Sequence, residues 1–166
     1  HVPVTQRVAD PLKVTYMEVG LFGDYLDMNP NFIKINRKAG HDMLETRGDA
    51  VQYWHDNTAE TNQIWADYFK WPVSDIEFVT GTNGKDFLGG NYMFDFNESA
   101  QFCGVMEGEP PFGSNGSFEA AVKTTNEWWV KLGVLKAMHD PAKGIDCSLM
   151  GELAKNGYSQ SIKARP

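Results

Sequence analysis

Four histidines and a set of closely spaced carboxylates are the residues of this 166-residue chain whose types could do chemistry. The densest grouping is GHDMLETRGDAVQYWHD, which holds His41, Asp42, Glu45, Asp49, His55 and Asp56. Imidazoles and carboxylates at helical spacing are the donors of a divalent-metal site, or the acid and base of a small hydrolase or lyase. His41 and Glu45 are four residues apart and share one helical face. His55 returns to within about 40° of that face, but on an unbroken helix it lies about 21 Å further along. Metal–ligand bonds are only about 2.0–2.2 Å long, so a His41/Glu45/His55 site requires a break in the chain. Gly48 is the candidate for that break. The competing reading is a solvated lattice of salt bridges, with Glu45 and Arg47 in water and His55 at or near the surface.

His1 offers a second chemistry. An N-terminal histidine presents an amine and an imidazole nitrogen to one copper ion, and His41, His55 or His139 would complete a T-shaped copper site for an oxidoreductase. His139, before Asp140-Pro141, falls at an expected helix C-terminus, where the dipole favours imidazolium by about 0.3–1 kcal/mol. Asp95, Glu98, Glu107 and Glu109 lie along or just beyond expected strands. A carboxyl buried among Phe94, Phe96 and Phe102 would have a raised pKa and could act as a general acid, whereas strand alternation turns most of them to solvent. No Gly-x-Ser-x-Gly occurs, neither cysteine has a reactive-thiol signature, and TGTNGK (80–85) lacks the phosphate-loop spacing. The catalytic candidates are therefore His55, Glu45 and Glu107. The metal candidates are His1, His41 and His55, with a divalent or copper ion as the implied cofactor.

Aromatic residues point elsewhere. Five tryptophans are many for a core of this size. Trp128 and Trp129 are adjacent, about 100° apart on a helix, so they cannot both face one core. One should be exposed, at a helix–helix contact, or lining an apolar pocket. Trp54, Trp128, Trp129, Tyr92 and Phe94 are the candidates for holding a small molecule or a protein subunit, including a second copy of the chain. An acidic binding domain with an aromatic-lined surface is the leading expectation; the hydrolase or lyase and the copper oxidoreductase are the alternatives.

The elements that would position these residues follow from periodicity. Residues 12–20 alternate as a strand. Asn29-Pro30 opens a short helix near 30–39 with Gly40 as its C-cap. Residues 49–69 carry an apolar stripe through Val51, Trp54, Thr58, Ile64, Trp65, Tyr68 and Phe69, and end at Trp71-Pro72. IEFVTG, DFLGGNYMFDF and QFCGVMEG, between 75 and 107, have the texture of strands. Gly81-Thr82-Asn83-Gly84 supplies hairpin chemistry, and Gly89-Gly90 a bulge or bend. A loop follows at 107–116. Ser117 caps a second long helix, near 118–138, within which Gly133 costs about 1 kcal/mol relative to Ala and suggests a close crossing. Asp146 caps a last short helix ending at Asn156, and 158–166 has little to hold it. The expected fold is a single α+β domain over 1–166: a small antiparallel sheet of about four strands, packed on two long amphipathic helices and shorter ones.

Composition bounds the partners. Fifteen Lys+Arg against 22 Asp+Glu give a net charge of −7, which argues against a nucleic-acid binder. No apolar run is long enough to span a membrane, and an aromatic share of 13% argues against disorder. Cys103 and Cys147 either pair, closing a loop of about 44 residues worth roughly 3–4 kcal/mol, or are separate small buried hydrophobes. Asn97-Glu98-Ser99 and Asn115-Gly116-Ser117 are glycosylation triplets. The chain starts at His1 with no signal peptide or Met. With its acidity and its Asn, Gly and aromatic content, this favours an extracellular or periplasmic protein over a cytoplasmic one.

Overall fold

A computed structural model describes residues 26–82, 92–111 and 113–162. Among them every regular element is helical: α1 (Pro30–Ile35), α2 (Arg37–Asp56), α3 (Thr58–Phe69), α4 (Val73–Thr80), α5 (Phe96–Phe102), α6 (Ser117–Lys131) and α7 (Ser148–Lys155), with a 3-10 turn at Pro141–Lys143. The expected α+β fold with its small antiparallel sheet is therefore corrected to an all-helical one among the described residues. IEFVTG is the end of α4. Its β-branched residues favour a strand, but Ile76 and Thr80 are both buried and four residues apart, which is the helical period. Asp75 stands in the first turn, where the dipole favours a carboxylate. Gly81, at φ 81°, is the C-cap of α4 and donates to Glu77 O; Gly81-Thr82 thus ends a helix instead of opening a hairpin. QFCGVMEG finishes α5 and passes into turns at Gly104 and Gly108, both at positive φ. The strand at 12–20 and Gly89-Gly90 lie outside the described residues.

The helical breaks also differ from expectation. α2 runs without interruption through Gly48, and the chain breaks at Asn57 (φ −131°, ψ 46°). Gly48 is small for packing: a Cβ there would lie 2.9 Å from Tyr158 Oη. α3 ends before Pro72, with Lys70 in the left-handed region at φ 57°. α6 stops at Lys131, earlier than expected. Gly133 is at φ 73°, and a Cβ added there would meet nothing within 4 Å, so it marks no close crossing. It closes the helix: Gly133 N donates to Val130 O and Val134 N to Trp129 O, a Schellman end.

Two compact units divide the described residues. In one, drawn from 26–30, 50–82 and 92–93, Val51, Trp54, Ala66 and Ile76 are the buried apolar residues, and Asn62 is buried too. Asn62 is 1% exposed; its Oδ1 accepts from Trp54 Nε1 (3.3 Å) and Thr80 Oγ1 (2.9 Å), and its Nδ2 donates to Gly81 O (2.8 Å). Satisfied in this way, a buried amide ties α2, α3 and the end of α4 without the cost of an orphaned polar group.

The other unit comprises 31–49, 94–111 and 113–162. Its core is Ile33, Leu44, Phe96, Ala100, Leu149, Leu153 and Ile162, with Gly40 admitting Leu149 and Ile33 against α2. Asp95 and Glu98 form a capping box at the start of α5. The segment 158–162 completes that cap. Gln160 Oε1 and O accept from Phe96 N (3.0 Å) and Asn97 N (3.1 Å), and Ile162 N donates to Asp95 Oδ2 (3.0 Å). Of the two alternatives for the cysteines, pairing is the one found: Cys103 and Cys147 form a disulfide.

Candidate functional site

The histidine–carboxylate candidates are separated by the partners they acquire. His41 Nε2 meets Glu152 Oε2 at 2.8 Å, not Glu45. The guanidinium of Arg37 grips the same carboxylate, with Nη2 at Oε1 and Nε at Oε2, and also donates to Ser148 Oγ (2.7 Å). Arg37, followed by His41, holds the Glu152 carboxyl below the usual carboxylate range. Asp146 is lowered too, chiefly because Ser148 donates to it. This cluster pins the start of α2 to α7.

His55 Nδ1 lies 2.9 Å from Asp56 Oδ1, its side chain is 8% exposed, and Nε2 is buried without a hydrogen-bond partner. Glu45 is half-buried, and its carbonyl accepts from Tyr158 Oη (3.4 Å). Burial, then Asp49 and Glu45, push the Tyr158 hydroxyl up. Glu107 is exposed in the loop after α5, where its carbonyl accepts from Gln101 Nε2 (3.1 Å). His41 and His55 belong to different compact units, and each is engaged by its own carboxylate. Among the described residues no three His, Cys, Asp or Glu side chains gather as a metal-binding group. His1 lies outside the described residues.

Asp95 and Glu98 have their oxygens on backbone N–H groups: Asp95 Oδ1 accepts from Glu98 N (2.8 Å) and Glu98 Oε2 from Asp95 N (2.9 Å). They start a helix. The Asp-x-x-Glu spacing is itself the readable signal of a capping box, and the strand propensity of the surrounding aromatics obscures it.

The aromatic candidates divide sharply. Trp54 is a core residue, with its indole nitrogen on Asn62. Tyr92 and Phe94 are half-buried. Phe94 meets Phe102 edge-on at 5.7 Å, and Phe102 stacks on Phe118 at 5.7 Å, which seats the first turn of α6. Trp128 and Trp129, by contrast, are 58% and 48% exposed. Leu132, Val134 and Met138 continue the apolar surface beyond the helix end, and no residue of α6 is buried. The Lys131 ammonium sits 4.8 Å above the Trp128 ring.

Three structural features escape sequence reasoning. One is the Asn62 hub. Another is Asn115, whose Nδ2 donates to Met106 O and Gly108 O, both at 2.7 Å, while its own N–H donates to Glu109 Oε2 (3.0 Å). The third is Arg47, which reaches Phe94 O at 2.8 Å. Such contacts are tertiary and leave no local pattern. No family model, curated protein or solved structure matches this chain.

Proposed function

We propose that the chain is a binding module that docks another macromolecular surface through the end of α6. The observation that carries this reading is the exposure of Trp128 and Trp129 on a helix with no buried residue, and of Leu132, Val134 and Met138 just beyond its end. Large apolar side chains scattered singly need no explanation, but five within eleven residues are a patch of the kind that marks an interaction site. The scaffold suits the task. The disulfide anchors both ends of the excursion that bears α6, so the indoles are presented without depending on α6 for a core. A structural disulfide also supports placing the protein in an oxidising compartment, extracellular or periplasmic. No described helix is long and apolar enough to cross a membrane.

A photo-crosslinking side chain at Leu132, used where the protein works, is expected to yield adducts. The same probe at Ile35, which is also exposed and apolar, is expected to yield few. Equal labelling at the two positions would overturn the reading.

A further inference from the structure

Resting on that reading of the α6 face, we infer that its partner is an anionic lipid surface, onto which residues 128–138 dock from one side. The composition of the patch singles out this occupant. Residues 128–138 are WWVKLGVLKAM: apolar residues, one glycine and two lysines, with no acidic, amide or hydroxyl side chain. A protein interface carries roughly one hydrogen bond per 100–200 Å² and a polar rim that supplies them. Beyond two indole N–H donors this stretch has only Lys131 and Lys136 to offer, both exposed, and no side-chain oxygen acceptor at all. Apolar groups plus long cationic stems match the two layers of a bilayer face instead: an acyl boundary that takes indoles and aliphatic groups, and anionic headgroups above it.

Backbone and charge agree. A surface entering a low-dielectric layer must have its main-chain polar groups satisfied. Beyond the helix, Leu132 N donates to Trp128 O, Gly133 N to Val130 O, and both Val134 N and Leu135 N to Trp129 O, at 2.9–3.1 Å, which satisfies 132–135; the N–H groups of 136–138 have no backbone acceptor and belong at the wet headgroup level. Tryptophan favours the boundary itself, where its ring is apolar and its N–H finds headgroup acceptors. The chain as a whole carries −7. Residues 128–138 instead carry two cations and no anion, although exposed Glu127 and Asp140 border them, so an anionic membrane attracts this stretch in contrast to the chain as a whole. Eleven residues are too few for a span, which needs about 20.

The experiment is co-sedimentation, with tryptophan emission, against vesicles of phosphatidylcholine alone and of phosphatidylcholine with phosphatidylserine at three to one. Binding with a blue shift is expected for the anionic vesicles, weakened by raised salt. Lys131→Gln/Lys136→Gln is expected to weaken it about tenfold or more, and Trp128→Ala/Trp129→Ala to abolish the blue shift. Circular dichroism of both variants establishes that they are folded. Absence of binding to anionic vesicles, or binding unaltered in both variants, would overturn the lipid assignment. If the Leu132 probe then still labels a protein in preference to Ile35, the docking face stands with a protein partner; if it labels nothing in preference, both inferences fall.

Discussion

Cys103, the C-cap of α5, is bonded to Cys147, the N-cap of α7, and the chain enclosed between them carries a fifteen-residue helix with nothing buried. The covalent link does for this excursion what a core does for other helices. Cys103→Ser/Cys147→Ser is expected to lower stability by about 3–4 kcal/mol, the loop-closure value for a ring of this size. Urea unfolding measures the loss. Amide exchange is expected to rise first in 117–131, before α5 and α7 open.

Asn62 predicts a local effect. Asn62→Leu removes one amide and strands the Trp54 indole N–H and the Gly81 carbonyl, while the Thr80 hydroxyl keeps Ile76 O as its acceptor. The expected cost is about 2–4 kcal/mol, seen in denaturant unfolding, with altered emission from the buried Trp54. Thr80→Val, which removes one donor and keeps the shape, should cost about 1 kcal/mol.

Two glycines are predicted to respond in opposite directions. A Cβ at Gly40 would lie 2.8 Å from Leu149 Cδ1 and 3.0 Å from Ile33 Cδ1, so Gly40→Ala is expected to destabilise by about 1–3 kcal/mol through overpacking. At Gly151, inside α7, the nearest atom is Val105 Cγ1 at 3.6 Å, an ordinary contact. Gly151→Ala is expected to stabilise by up to about 1 kcal/mol through helix propensity. Thermal melts of the two variants should move apart.

Acid stability is expected to trace in part to Glu152. Its folded pKa lies below the ordinary value because Arg37, then His41, favours the carboxylate. The associated stabilisation is present above the unfolded pKa and is lost as pH falls through the folded one. Asp146 contributes with the same sign. Glu152→Gln should lower stability near neutrality and flatten the fall of stability on acidification, measured by urea midpoints across that range.

Much of the helical framework is legible in the residues. Pro30 does stand at the start of α1, Pro72 does follow the end of α3, and the Trp128–Trp129 adjacency does leave indole in solvent, whereas Gly116, not Ser117, is the N-cap of α6 and no side chain caps it. The strand expectation fails because Ile, Phe, Val and Thr in 76–80 have strand propensity, while the spacing of buried Ile76 and Thr80 is helical; packing decides in favour of spacing. Gly48 misleads for a similar reason. A glycine in a helix signals either a break or a close neighbour, and only the position of Tyr158 distinguishes them. At the candidate site, the exposed tryptophans are foreseeable from angular spacing alone. The partner of His41 is not, since Glu152 is 111 residues away from it and a competing carboxylate stands four residues from it.

The clasp between Asp95 and Ile162 has a bearing on turnover. Residues 160–162 occupy the first N–H groups and the cap of α5, so a cut in the chain just ahead of Gln160 would loosen an element sixty-odd residues upstream. A protease acting on that one segment would thereby expose a helix start far from it in the chain.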